Sequence, residues 1–248
     1  MVIKIVATKD QWQKFVERSS AGKCELFEVV TMKVDDKAKK IEVKETSKCG
    51  TSRIEVAWVP QSIKGAGKIT ISTGRFAKAL GAIGDATPIT ATFDECHVIL
   101  EGTGRWIKFG LPEVSTEDAP AFPALKDHII DIEADADILV KGMTSSVSAI
   151  ECDPVMYTLM YKSGVVSMKV GDFEKTGGEV IIPVASSLAK KTDVETFESC
   201  HNHFLRDMLG MGGKVRLSIG DKYPLKIVVD DKILGSTYYI APTAGIIE

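Results

Sequence analysis

The stretch Phe204–Thr243, FLRDMLGMGGKVRLSIGDKYPLKIVVDDKILGSTYYIAPT, decides how the rest of the chain is read. A helical pattern over Asn202–Met211 stops at Gly210, Gly212 and Gly213. Strand-like runs follow at Val215–Ile219, Leu225–Val229 and Ser236–Ile240, and the stretch leaves through Tyr238-Tyr239-Ile240-Ala241-Pro242. Because the glycines follow a helix, they cap it; a dinucleotide fingerprint places them ahead of one. The same order of parts occurs earlier in the chain. Arg75–Gly81 lies over Phe204–Gly210, and it leads into Ile89–Phe93 as the later helix leads into Val215–Ile219. A repeated unit of this kind sets the architecture before any single motif does.

Working outward, the first half begins with a strand at Val2–Ala7. A helix over Gln11–Ser19 follows, with Asp10 as N-cap; Trp12, Phe15, Val16 and Ser19 share one face, and Gln11, Lys14 and Arg18 the other. Strands are expected at Glu25–Val34, Lys40–Glu45, Arg53–Val59 and Lys68–Ser72. A second helix over Thr73–Ile83 turns Phe76, Leu80 and Ile83 inward, and strands at Ile89–Phe93, His97–Glu101 and Arg105–Gly110 close the half. Leu111–Asp127, with three prolines and several acids, reads as a linker. The order then restarts with a strand at Ile129–Ile132 and a helix over Ala134–Ser148 whose stripe is Ile138, Leu139, Met143 and Val147. Strands at Val155–Tyr161, Val165–Val170 and Glu179–Val184 lead back to the opening stretch. Two similar α+β halves, with helices on one face of antiparallel strands, are the simplest architecture. The division expected is 1–111, a connecting loop over 112–127, and 128–248.

Composition narrows the function classes. The 248 residues hold five scattered cysteines and carry a net charge of −3. An odd number of cysteines without a CxxC pair argues for reduced thiols. The longest apolar runs are far below the ~20 residues of a membrane span, and the opening Met1–Val6 reads as a strand, not as a secretory signal. Gly65-Ala66-Gly67-Lys68 resembles the end of a phosphate-binding loop, but Ser62 stands where its first glycine belongs and Ile69 where the magnesium hydroxyl belongs. Cys200 and His203, sharing one helix face, and Cys96-His97 each offer two ligands to a zinc ion that usually takes four, so Cys200 and its neighbouring histidines read as buried or half-buried residues of a helix cap. His97 with Asp94 or Glu95, and Ser186 or Ser187 near Lys190, form no convincing nucleophile–base pair. The basic residues say more. Lys14 and Arg18, then Arg75 and Lys78, then Lys141, then Arg206 lie on the four expected helices, opposite their apolar stripes, and so describe one shared positive surface.

Tyr223-Pro224-Leu225, the Tyr-Tyr-Ile-Ala-Pro exit and the proline-bearing linker together resemble the DNA sliding clamps of the PCNA type. Asp118–Pro123 is also similar to loops of bacterial and phage clamps. The likeness in order of elements spans the chain. It implies two clamp-type domains per subunit, sheets outside and two helices each on the inner face, and three subunits closed into a ring around duplex DNA. It implies no catalytic centre and no cofactor, an intracellular place of work on DNA, and partners such as polymerase, clamp loader, ligase and nucleases held through short peptides. Carried onto this sequence, Lys14, Arg18, Arg75, Lys78, Lys141 and Arg206 are expected to face DNA. Phe122, Leu125, Pro224, Tyr239, Ala241 and Pro242 are expected to build the peptide groove, and Trp106–Phe109 and Val180–Ile182, with Trp106, Phe109, Val180 and Ile182 as side chains, the subunit contact. Asp137 and Asp207 on the helix faces depart from the family's pattern, and the lysine-rich Lys33–Lys48 matches none of its motifs. A subunit of a heteromeric clamp, a nucleotide-dependent enzyme using Gly65–Lys68, and an interaction module that kept the fold but lost DNA remain the alternatives.

Overall fold

The computed structural model describes residues 2–22, 25–85, 87–112, 121–123, 130–150, 155–162, 164–172, 179–184, 196–220, 223–231 and 233–243. The chain divides into two compact units. Unit 1 is Met1–Lys48, Ile54–Pro120 and Asp231–Ser236; unit 2 is Cys49–Arg53, Ala121–Asp230 and Thr237–Glu248.

In unit 1, β1 (Ile3–Ala7) enters α1 (Lys9–Ser19). The strands β2 (Val29–Asp35), β3 (Lys40–Thr46), β4 (Ser52–Trp58), β5 (Ser62–Lys64) and β6 (Gly67–Ser72) follow. Then come α2 (Thr73–Ala82), β7 (Ile89–Phe93), β8 (His97–Gly102) and β9 (Arg105–Gly110). One sheet runs β5-β1-β7-β8-β9, and a second set of neighbours runs β4-β3-β2-β6. Strands pair antiparallel in both, for example Ile5 opposite Ala91 and Met32 opposite Ile69. The helix starts two residues earlier than expected. Thr8, not Asp10, is the cap: its hydroxyl accepts from the Gln11 amide at 3.2 Å, and the Gln11 side chain returns to the Thr8 amide at 3.1 Å. The core is aromatic. Trp12 meets Trp58 edge-on at 4.7 Å and Phe76 at 5.1 Å, and Phe15 stacks on Trp58 at 4.6 Å. Each such side chain contributes roughly 2–3 kcal/mol through burial alone, so α1 is held by its apolar stripe and not by propensity.

Unit 2 opens with β10 (Ile130–Asp135), α3 (Ala136–Ile150), β11 (Val155–Lys162) and β12 (Val165–Asp172). It continues with β13 (Glu179–Pro183), β14 (Thr196–His201), α4 (Phe204–Leu209), β15 (Lys214–Ile219), β16 (Leu225–Val229) and β17 (Leu234–Ile240), although the start of β17, Leu234–Ser236, belongs to unit 1 and the start of β4, Ser52 and Arg53, to unit 2. Its sheet orders are β13-β12-β11-β14 and β10-β15-β16-β17. β14 is an element that the sequence pattern did not announce, and it places Cys200 and His201 on a strand instead of in a helix cap. The buried stripe of α3 is Ala136, Leu139, Met143 and Ser146, while Ile138 is 61% exposed. The expected inward Ile138 is thereby corrected. The row that packing covers is i, i+3, i+7 from Ala136 through Leu139 and Met143, which leaves Ile138 on the outer side.

Candidate nucleic-acid face, partner groove and strand edges

On the helix face of unit 1, α1 and α2 pack against each other, with Lys14 of α1 and Arg75 and Lys78 of α2 exposed. Lys14 lies 3.0 Å from Asp10, one turn away, an exposed pair that leaves the ammonium in solvent. Arg18 does something else. Its side chain is only 12% exposed; Nη2 sits 3.5 Å from the Asp231 carboxylate, and Nη1 donates to the Leu234 carbonyl. Asp231 in turn accepts from the Ile233 amide at 3.0 Å. That bond holds its carboxyl below the usual range, against the effect of burial and with help from the charges of Arg18 and Lys14. Arg18 was expected on the outer face because it lies opposite Trp12 and Phe15 on the helix. The correction comes from a segment more than two hundred positions away in the chain, which covers that edge of α1. A groove of about 530 Å³ runs between the two helices, walled by Val16, Gly74, Ala77 and Leu80 with Glu17 and Lys78 at its rim.

In unit 2 the outer side of α3 presents Lys141 with Thr144, Ser145 and Ser148, and Asp137 beside Ile138. The Asp137 carboxylate accepts from the Gly213 amide at 3.4 Å, so its charge is partly used to hold the turn after α4. α4 is short. Arg206 is half-exposed at 38% and lies 4.0 Å from Asp207, whose carboxyl is pushed up by burial despite the neighbouring Arg206 and His203.

The expected groove residues are partly brought together. The Phe122 ring stands 6.2 Å from that of Tyr239, which is buried on β17, and the Arg53 guanidinium lies 6.0 Å from the same ring. Pro224 is buried at the start of β16; Ala241 and Pro242 are half-buried. Leu125 lies outside the described residues. The exit is tied down by two backbone bonds: Ala241 donates to the Thr51 carbonyl at 2.7 Å and Thr243 to the Cys200 carbonyl at 2.8 Å. Beside this exit His201 is fully buried, with Ser199 Oγ 2.9 Å from Nε2. Burial pushes its pKa down to about 4, against the pull of the Ala241 backbone. Thr51, Arg53, Cys200 and His201 were not foreseen here. The alternation of Glu198 and Cys200 outward with Ser199 and His201 inward was the signal, and it is only a few residues long.

β9 and β13 are sheet edges. On β9, Trp106 is 70% exposed, whereas Phe109 turns inward and meets Phe76 edge-on at 6.1 Å. On β13, Val180 is half-buried and Ile181 is 59% exposed, whereas Ile182 is 9% exposed. A Cβ added to Gly142 of α3 would lie 3.2 Å from the Ile182 side chain. Phe109 and Ile182, expected at a subunit contact, therefore face their own helices. The large apolar side chains that these edges expose are Trp106 and Ile181.

Ser186, Ser187 and Lys190 lie outside the described residues, and the remaining constellations resolve into structure. Gly65, at φ +85°, forms the turn between β5 and β6, and its amide donates to the Asp36 carboxylate at 3.1 Å. A carboxylate on that amide occupies the place a phosphate needs. Asp94 accepts from the Cys96 and His97 amides at 2.8 and 2.6 Å, which makes it a turn cap. Among the described residues no three His, Cys, Asp or Glu side chains are grouped as metal ligands.

No protein-family model matches the chain, nor does the sequence of any curated protein. Solved structures do match. PCNA from Entamoeba histolytica superposes with a TM-score of 0.76 at 14% identity, over 98% of this chain and 99% of that one. PCNA from Thermococcus kodakaraensis gives 0.74 at 13%, over 97% and 100%. A. fulgidus PCNA, solved with the C-terminal region of FEN-1, gives 0.71 at 13%, over 98% of each chain. The chain has the fold of a PCNA-type sliding clamp. At such low identity the likeness is one of fold. In this fold α1 to α3 carry exposed basic residues, α4 carries the half-exposed Arg206, and β9 and β13 end their sheets among the described residues.

Proposed function

We propose that the protein is a non-catalytic DNA sliding clamp: a homotrimeric ring, closed by β9 of one copy pairing with β13 of the next, that encircles duplex DNA inside the cell and tethers polymerase and other DNA-processing enzymes. The observation that carries the reading is the near end-to-end match to clamps of known structure, together with exposed Lys14, Arg75, Lys78 and Lys141 on the helices. Solvated cationic groups without base-reading partners suit sequence-neutral attraction to phosphates. Half-exposed Arg206 joins them, and Arg18 does not. The groove about Phe122, Pro224, Tyr239, Ala241 and Pro242 suits the aromatic anchors of a short peptide. A match to a PCNA2–PCNA3 complex from Sulfolobus tokodaii, at a TM-score of 0.70, keeps a ring of unlike subunits as the second reading.

The test is polymerase stimulation on primed circular DNA against open-ended linear DNA, with a clamp loader present. Stimulation restricted to the circle is expected. Reversing Lys14, Arg75, Lys78 and Lys141 to Glu should abolish it. The same change should flatten the salt dependence of DNA binding, its slope falling by about 0.9 for each phosphate no longer neutralised. Arg18→Ala should leave that slope unchanged while lowering stability. Equal stimulation on both templates, or an unchanged salt slope in the reversed variant, refutes the encircling role.

A further inference from the structure

Three lysines of the lysine-rich segment Lys33–Lys48, namely Lys33, Lys40 and Lys44, share one surface. β3, β2 and β6 lie side by side in unit 1. Their inner face is Met32, Val34, Ile41, Val43, Ile69 and Ile71, all buried. The opposite, solvent face carries Lys33, Lys40, Lys44 and Lys68. Lys33 stands directly across from Lys68 on one side and from Glu42 on the other. Lys40 Nζ lies 2.7 Å from Glu42, and Lys40 is itself across from Asp35 at the hairpin end. The Glu42 carboxyl is held below its usual range first by that hydrogen bond from Lys40, with Lys44 and Lys33 adding their charges. One carboxylate is therefore ringed by three ammonium groups, with a fourth at Lys68. Next along, Thr31 and Thr70 face each other at 3.2 Å between hydroxyl oxygens.

One ordinary reason for a surface lysine accounts for part of this. Lys68 is on the edge strand β6, where a charge discourages stray pairing. Lys33 is on β2, between two neighbours, where no edge needs protection. Placing it directly across from Lys68 costs stability, since like charges opposed across strands repel. A chain with a net charge of −3 has no general need for such a concentration of positive charge.

We propose that the face formed by Lys33, Lys44 and Lys68 around Glu42 docks an acidic segment of a partner protein. An extended peptide repeats its side chains on one face every ~6.8 Å, so alternate acids reach lysines on neighbouring strands. Glu42 selects against nucleic acid: a phosphate on Lys33 would lie about one strand spacing, ~5 Å, from a second negative charge. A peptide can turn a backbone amide or a hydroxyl toward Glu42 instead. Lysines also lack the planar fork with which arginine grips phosphate. This surface lies in unit 1 and does not depend on the clamp reading.

The probes are a fluorescent peptide of six Glu-Ser repeats and an oligothymidylate of equal charge, titrated with the full chain by anisotropy at low and moderate salt. The peptide is expected to bind more tightly than the oligonucleotide. Lys33→Glu with Lys68→Glu should weaken the peptide about tenfold or more, while Lys162→Glu on β11 leaves it unchanged. Lys44→Glu alone, a change on an exposed strand position, should give a smaller loss and guards against misfolding of the double variant. Glu42→Gln should raise oligonucleotide binding. Equal binding of both probes, a preference for the oligonucleotide, or peptide binding indifferent to all three lysines overturns the proposal.

Discussion

His201 shows how one residue can carry a pH dependence for a whole unit. It is fully buried on β14, is hydrogen-bonded to Ser199 at Nε2, and titrates near 4 instead of 6.5. The folded state therefore resists the proton that the unfolded chain accepts. Its contribution is complete above the unfolded value of about 6.5 and is lost as pH falls toward 4. Between about pH 7 and pH 5 the loss is about 2 kcal/mol. Denaturant unfolding of the native chain and of His201→Leu at both pH values should give a difference of that size, the variant being the flatter. Equal slopes would mean that the ring takes up its proton as readily in the folded state as in the unfolded chain. Arg18 is the second residue whose place changes its meaning. A guanidinium that satisfies Leu234 and Asp231 is a clasp on the segment entering β17. It contributes as a buried hydrogen-bonded charge does, through the cost of leaving its partner unpaired.

Among the elements, α1 is the most fully specified by its own residues. Thr8, Gln11, Trp12, Phe15 and Val16 supply a cap, a reciprocal cap and a stripe within a few positions. Thr8→Ala should cost about 1 kcal/mol and Thr8→Ser almost none, measured by the same unfolding experiment. An equal loss in both variants would place the effect in the threonine methyl group and not in the cap. α4 is the opposite case. It has six residues, no side-chain cap, and three buried side chains, Leu205, Met208 and Leu209. Its existence depends on packing with α3. β13 lies between the two. Val180-Ile181-Ile182 is apolar throughout, so no alternation marks the covered side, and only Gly142 of α3, where a side chain is missing, settles that Ile182 is the one tucked in.

At the scale of the molecule, two edge strands that expose a large apolar side chain, β9 with Trp106 and β13 with Ile181, predict assembly. β9 and β13 are different surfaces, so their pairing is head-to-tail and either closes a ring or propagates. The expected solution mass is about three times that of the chain, by light scattering. Trp106→Glu and Ile181→Glu should each lower it to the monomer. A mixture of the two variants should recover dimers and nothing larger, because each copy then keeps one good edge and the good edges are complementary. Trimers in either variant alone would remove Trp106 and Ile181 from the contact, while a monomeric native chain would favour a partner of unlike sequence.

The sequence by itself determined the order of elements, the repeat, and which residues are apolar within each element. Those are local properties: Phe76 and Leu80, or Trp12 and Phe15, lie on one face of a helix whatever surrounds it, and Tyr239 falls on a strand because of the residues that flank it. Tertiary structure decided which face is covered and by what. Arg18 was legible as opposite the stripe, but not as held by Asp231 and Leu234, since nothing near it in sequence announces them. Ile138 was read into the stripe, and Phe109 and Ile182 into a subunit contact, because periodicity fixes which residues share a face and leaves open which face is covered. Burial is a property of pairs of surfaces, and a single chain read in order contains only one member of each pair at a time.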